Sequence, residues 1–445
     1  MPLRFIGTLK NLNIFVQGLL IFMNTDADLK KVNTILTKYN QEHLLQFYNE
    51  LTDEQKDFLI HQILSIKFDE ILRLYEKSKF DVYDSTEEIE PIKYTIKENL
   101  SENHIKIYET IGYEIIEKNE FGVITLAGGQ GSRLGFKGPK GTFKLDTKPN
   151  KISLFEVLCN YLKDMNSILN VTIPWYIMTS TENSQATIEF FKSENYFGYP
   201  KEYIKFFVQD NLPIIDINGK LVLEEIYKVK LASNGNGNLF SSLKKDNIID
   251  DMKSKNLKWL FVGGVDNVLL NPVDPIFIGF TVASGNLVSS KTLFKQNPSD
   301  KDWVFARKNK KPAIIDCENF VDELSKIKNE NGTYLYRETN MLAHIFNISA
   351  IEDMANVSIP YHRAFRKSPF VNYEGMKQVP ESPNIYKFEQ FVFDAFSHFD
   401  NISLLRVNPN EEFAPIKNFN GPHNPEVAQK RYEKQVLKKH KTKAE

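Results

Sequence analysis

The sequence predicts an α/β protein: a central, mixed but mostly parallel sheet, with a helical N-terminal region and a smaller C-terminal domain. Three observations carry this. Short apolar runs at 123–126, 173–178, 204–208, 259–265 and 287–290 alternate with helical patterns, as buried parallel strands joined by crossover helices do. The region before them repeats apolar residues at helical spacing. A loop reading TLAGGQGSRLGFKGPKG (125–141) follows directly on the apolar run FGVITLA, and in parallel sheets such a loop lies at the edge where ligands bind.

Taken in order, residues 1–23 read as an atypical N-terminal extension. The apolar stretch 14–23 is interrupted by Gln17 and is too short to span a bilayer, and no small-x-small cleavage site follows it. Residues 24–104 form the helical N-terminal region. Leu29, Val32, Ile35 and Leu36 share a helical face, and Thr52 to Gln55 is a capping box ahead of Phe58, Leu59 and Ile63. Within it, 81–104 is polar and acidic and reads as a connector. Residues 105–383 carry the strand and helix alternation of a catalytic domain, and 384–445 form the C-terminal domain. That last part contains FVFDAF, a short strand SLLRV and the basic run LKKHKTK, which reads as a solvated helix end. In FVFD, Phe391 and Phe393 alternate as in a half-buried strand.

The chain has 445 residues, 42% of them hydrophobic and 25% charged, enough for one large core with appended domains. Its formal net charge of -1 excludes a global pull toward nucleic acid or membrane, so any anion site is local. Cys159 and Cys317 make neither a disulfide framework nor a C-x-x-C knuckle, which fits a reducing, cytoplasmic setting.

Glycines in the 125–141 loop let backbone N–H groups approach an anion, and Arg133, Lys137 and Lys140 supply charge. Phosphate is the natural guest, yet two common templates fail. No Gly-Lys-Ser/Thr stands where a P-loop needs it. For the dinucleotide fingerprint Gly129 and Gly131 fit, but Leu134 occupies the third glycine position. Asp266 closes the apolar run WLFVGGV at a strand's carboxyl end. One carboxylate there, with phosphate oxygens and waters, makes a usual Mg2+ (or Mn2+) shell. Asp274, just before Pro275, reads instead as a helix cap. Gln209 ends the run IKFFV, where an amide can read a base edge with one donor and one acceptor.

The loop LAGGQGSRLG followed by PKG resembles the signature of the eukaryotic-type UDP-sugar pyrophosphorylases, and among them the UDP-N-acetylglucosamine pyrophosphorylases. The blocks IPWYIMTS, FFVQDNLP, NGNGNLF, VDNVLLNPVDPIFIGF, NIYKFEQFVFD and FAPIKN extend the resemblance, in order, over about residues 24–420. It implies a Rossmann-like nucleotidyltransferase domain that joins UTP and N-acetylglucosamine 1-phosphate into UDP-N-acetylglucosamine and pyrophosphate. It also implies residue roles. Arg133 and Lys140 lie on the triphosphate side and Lys417 on the reacting phosphates; Lys137 has no family counterpart and reads as solvent-facing. Gly129 presents backbone to uracil, beside Gln209. Gly235 and Asn236 lie over nucleotide and sugar, and Lys387 is a second C-terminal family lysine. Phe391 and Phe393 face the N-acetyl group, and Asp316 and Asn340 face the sugar.

The chain departs from the family pattern where the sugar is read. Asp316 stands for a Glu, Arg337 for an Asn and Thr339 for a Gly. These changes spare the transfer machinery and leave N-acetylgalactosamine, glucose and galactose 1-phosphates open as alternatives. A silent nucleotide-sugar binder ranks behind, because Arg133, Lys140 and Asp266 are all present.

Overall fold

The computed structural model describes residues 25–79, 88–295, 303–315 and 326–442. The extension 1–23 and Asp316 lie outside them. The described residues fall into two compact units.

The first unit comprises the described part of Met1–Asp81 with Asn211–Ala232 and His362–Phe388. Helices α1 (Thr25–Lys38), α2 (Asp53–Ser65) and α3 (Phe68–Ser78) bear out the helical N-terminus. The capping box opens α2 as expected: Thr52 Oγ1 accepts the Gln55 N–H at 3.4 Å, and Gln55 Oε1 accepts the Thr52 N–H at 3.1 Å. Val32, Leu36, Leu44, Leu59 and Ile63 are fully buried. Two glutamines staple the 211–232 hairpins by imitating a strand partner. Gln62 accepts from the Val229 N–H at 2.8 Å and donates to the Val229 carbonyl at 2.9 Å. Gln41, buried, does the same for Leu221 and Gly219 at 2.8 and 2.9 Å.

The second unit is built on an eleven-stranded sheet. Its strands, in chain order, are β1 (Ile89–Glu90), β2 (Thr95–Ile96), β3 (Phe121–Leu126), β4 (Trp175–Ser180), β5 (Ile204–Gln209), β6 (Trp259–Gly264), β7 (Val288–Phe294), β8 (Val304–Lys308), β9 (Lys311–Ile315), β10 (Glu338–Asn347) and β11 (Ser403–Arg406). The main path runs β2-β11-β7-β10-β6-β3-β4-β5, with β8 joining β1, β9 and β10. β6, β3, β4 and β5 are mutually parallel, and β10 is antiparallel to both β6 and β7. The five apolar runs are therefore strands, as expected. The carboxyl ends of β3, β4, β5 and β6, and the start of β10, share one edge. Residues 88–104 correct the connector reading: they hold β1 and β2, a 3-10 turn and the start of helix α4 (Glu102–Glu117). FVFD is also corrected. Val392–His398 is a 3-10 helix, and the tight turn puts Phe391 and Phe393 on one side. Among the described residues no helix is long and apolar enough to cross a membrane.

Four charges are sequestered beside the sheet. Lys291 of β7 is fully buried and pairs with Asp274 at 2.7 Å and with Glu412. Lys97 pairs with the same two carboxylates at 3.2 and 2.8 Å. Asp274 also caps helix α5 (Pro275–Ala283), accepting the Ile276 N–H at 3.1 Å as the sequence predicts. Burial alone would raise the Asp274 pKa. The two ammoniums outweigh it and hold the carboxyl well below the usual aspartate range.

His344 lies in β10 with no exposed surface. Its Nδ1 is 2.9 Å from Ser290 Oγ, and its Nε2 has no partner among the described residues. Burial pushes its pKa down from 6.5 to about 3. Because the folded value lies below the unfolded one, the neutral ring's contribution is complete above pH 6.5 and is lost as pH falls toward the folded pKa. Stability is expected to drop by about 1.4 kcal/mol per pH unit across that window from this residue. Urea unfolding of the protein and of His344→Gln between pH 6 and 4 checks it; equal slopes would refute the assignment.

Candidate active site

The glycine-rich loop is a folded hairpin. After β3 the Ala127 N–H extends the ladder to the Met178 carbonyl at 2.8 Å. The chain then turns back on itself. Gln130 bridges Pro139, Gly131 N–H donates to the Gly138 carbonyl at 2.9 Å, and Lys140 N–H donates to the Gly129 carbonyl at 3.0 Å. Asn183, fully buried after β4, clamps the base of the turn. Its Nδ2 donates to the Ala127 and Gly129 carbonyls at 2.9 and 3.3 Å, and its Oδ1 accepts the Ser180 N–H. Gly129, Arg133 and Lys137 are exposed on this hairpin.

The register of β3 against β6 brings the hairpin to Asp266. Lys140 Nζ meets Asp266 Oδ2 at 2.9 Å, with the lysine side chain 11% and the aspartate 29% exposed. The C-terminal segment then docks alongside. Asp266 accepts the Ile416 N–H at 2.9 Å, Asn267 bridges Pro415, and Val268 N–H donates to the Ala414 carbonyl. Asn267 fastens this contact with both ends of its amide, donating to the Glu412 carbonyl and accepting the Ala414 N–H, each at 2.8 Å. Lys417 follows immediately and is exposed. Arg133 joins the same segment through its carbonyl, which accepts the Phe419 N–H at 3.1 Å.

Gln209, the last residue of β5, is 5% exposed and lies directly over Gly128, where a Cβ would overlap its amide. Gly235 has φ 92, and a Cβ there would overlap the Gln390 carbonyl. That crossing lets the Gln390 N–H reach the Asn234 carbonyl at 2.8 Å and the Gly237 N–H reach the Gln390 carbonyl at 2.9 Å. Asn236 Oδ1 accepts the Val392 N–H at 3.0 Å. The rings of Phe391 and Phe393 stack at 5.1 Å, and Trp303 packs against both. Asn340 N–H donates to the Trp303 carbonyl at 3.1 Å, and Asn340 Oδ1 accepts the Leu342 N–H at 2.8 Å. That turn accommodates a bulge in β10, where Leu342 has φ 57.

A glycine hairpin, a cation and a carboxylate at one edge of a parallel sheet suit a nucleotide's phosphates. Over residues 69–422 the chain matches the family described as UTP–glucose-1-phosphate uridylyltransferase. The chain belongs to that family. It is 34% identical, over 89% of its own length and 85% of the relative's, to the UDP-N-acetylglucosamine pyrophosphorylase of Saccharomyces cerevisiae. It is 30% identical, over 88% and 81%, to the human UDP-N-acetylhexosamine pyrophosphorylase-like protein 1. The solved structure of the uridine diphosphate N-acetylglucosamine pyrophosphorylase of Trypanosoma brucei, in complex with inhibitor, superposes with a TM-score of 0.75 at 26% identity. That match covers 91% of this chain and 84% of that one.

In this uridylyltransferase-family chain the candidate residues gather into three clusters of the second unit. Gly129, Arg133, Lys140, Asp266 and Lys417 lie on or around the hairpin; Gln209 sits at its base over Gly128; Gly235, Asn236, Phe391, Phe393 and Asn340 lie around residues 390–393 and Trp303. Lys387 is half-buried in the first unit, on Ile385–Glu389. Asn183, Asn267 and Trp303 escape sequence reasoning. Asn267 stands next to Asp266 and Asn183 just past a strand end, so position alone could have flagged these two. Among the described residues no three or more His, Cys, Asp or Glu side chains cluster as a metal cage.

Proposed function

We propose that the protein transfers the uridylyl group of UTP to N-acetylglucosamine 1-phosphate, in the cytoplasm, giving UDP-N-acetylglucosamine and pyrophosphate. The observation that carries this reading is the Lys140–Asp266 pair at the foot of the glycine hairpin, with Lys417 docked beside it. The names of the relatives point to the same chemistry. A phosphate oxygen of the sugar 1-phosphate attacks the α-phosphorus, the new P–O bond forms in line, and the bond to the bridging oxygen breaks as pyrophosphate leaves. Such a reaction asks for positioning and charge more than for covalent work.

Lys140 and Arg133 neutralise the departing pyrophosphate. Lys417 holds the phosphates that react. Gln209, flush against Gly128, reads the uracil edge, and Gly129 brings backbone close to the base. Gly235 and Asn236 fix the segment that carries Phe391 and Phe393 over the sugar. Asn340 and Asp316 complete the sugar contacts in this reading. The donor set fits a divalent ion of the magnesium kind, because Asp266 supplies one hard oxygen ligand and an ion of this type takes most others from phosphate and water. Such an ion would add positive charge at the α-phosphate when bound.

Incubating the protein with UTP, Mg2+ and a panel of sugar 1-phosphates tests the reading. Pyrophosphate release is expected to be fastest with N-acetylglucosamine 1-phosphate; no release above blank with any sugar would sink it. The name of the human relative speaks of an N-acetylhexosamine. N-acetylgalactosamine 1-phosphate is therefore the runner-up, ranked by kcat/KM in the same panel.

A further inference from the structure

Lys417 is exposed, yet the backbone that leads to it is held throughout. Glu412 anchors the near end, its carboxylate gripped by the buried Lys291 and by Lys97. Arg431 of the C-terminal helix (Pro425–Thr442) donates to the Phe413 carbonyl at 2.9 Å. The Ala414 carbonyl accepts the Val268 N–H at 3.3 Å, and the Ile416 N–H donates to the Asp266 carbonyl at 2.9 Å. One side chain completes the set. Asn267 is 3% exposed; its Nδ2 donates to the Glu412 carbonyl and its Oδ1 accepts the Ala414 N–H, each at 2.8 Å. Phe413, between those two residues, is extended (φ -136, ψ 102). In extended backbone the carbonyl of one residue and the N–H two residues on face the same side, so a single carboxamide can grip both. The same Oδ1 accepts the Leu269 N–H at 3.3 Å, which ties the amide to the turn after β6.

We propose that Asn267 is a positioning residue: it sets the spacing between Asp266, its neighbour in the chain, and Lys417, the group assigned to the reacting phosphates. The inference rests on the uridylyl-transfer reading and goes beyond it by naming what holds two of its groups in register. Asn267 touches no reacting atom in this role. It acts by placing the segment that carries Lys417. In-line transfer depends on placement, and a shift of about 1 Å costs on the order of 10²-fold. Only an amide suits the position. A carboxylate could accept from Ala414 but not donate to Glu412, and an apolar side chain could do neither. Truncating Asn267 leaves the Asp266–Ile416 and Val268–Ala414 bonds in place, so the segment keeps its docking and loses its register.

The test uses the full-length protein with UTP, Mg2+ and whichever sugar 1-phosphate the panel ranks first. It runs a double-mutant cycle of Asn267→Ala with Lys417→Ala, read beside urea unfolding. Asn267→Ala is expected to lower kcat about 10²-fold with both KM values nearly unchanged, as for an interaction that serves the transition state. In the Lys417→Ala background the same change is expected to cost nothing further, because the lysine it places is already gone. A residue that only braces the fold behaves otherwise: its loss multiplies with that of Lys417→Ala and follows the urea midpoint. An unaltered kcat, a loss carried by KM, a Lys417→Ala variant of native rate, or full multiplication in the double variant would each overturn the proposal. Should Asn267→Ala not fold, Asn267→Asp, which keeps the acceptor for Ala414 and loses the donor to Glu412, carries the same cycle. A native protein that releases no pyrophosphate defeats the transfer reading and this inference with it; an active native protein with multiplying losses defeats this inference alone.

Discussion

Replacing Lys140 by alanine is expected to lower kcat for pyrophosphate release by about 10²–10³-fold, the usual consequence of removing one preorganised donor from a site of developing charge. Negative charge grows on the bridging oxygen as the bond to the α-phosphorus breaks. An ammonium already oriented toward that region needs no reorganisation when this happens. On the proposed reading Lys140 meets the condition: its backbone is hydrogen-bonded into the glycine hairpin, Asp266 holds its ammonium at 2.9 Å, and only 11% of its side chain is exposed. Asp266→Asn is expected to cost a similar factor by weakening the hold on a divalent ion. Steady-state rates with both substrates saturating, read beside circular dichroism melting curves, decide the matter. Near-normal rates in both variants would refute the assigned roles.

The second large effect is on stability. Lys291→Met leaves Asp274 and Glu412 sharing Lys97 alone, with Lys291 originally at zero exposure between them. Removing one partner of a buried ionic cluster typically costs about 3–5 kcal/mol, which urea unfolding would read as a lower midpoint. Restoring neutrality with Glu412→Gln in the same chain should recover part of the loss; a midpoint unmoved by Lys291→Met would contradict the arrangement. The sign with pH also follows. The Asp274 carboxyl titrates below its ordinary value in the folded protein, so its contribution is present at neutral pH. It disappears only as pH falls below about 4, where the unfolded chain binds the proton first.

How much of this was legible in the sequence depended on burial. β3, β4 and β6 are covered on both faces and read as continuous apolar runs. β10 escaped because it is antiparallel and carries Glu338, Thr339, Asn340 and His344, polar residues that find partners only within the fold. The polar stretch around Lys97 read as a connector because its ammonium is neutralised by residues far along the chain. FVFD deceived for a different reason. Two phenylalanines one residue apart fit a strand, yet a 3-10 turn also places them on one side when a third ring, Trp303, waits there. Lys140 and Asp266 could be singled out by their positions after apolar runs. Their pairing could not, because it depends on the lateral register of β3 and β6.

The docking of residues 412–419 against Asp266 and Arg133 has a consequence for biosynthesis. At cellular rates of translation the C-terminal segment leaves the ribosome on the order of ten seconds after Asp266. Through that interval the glycine hairpin and β6 can form, but the Asp266 carbonyl and the Asn267 amide await Ile416, Ala414 and Glu412. A nascent chain can therefore fold the glycine hairpin before the Asp266 segment finds its partners, and on the proposed reading competence waits until residues 412–419 have been made.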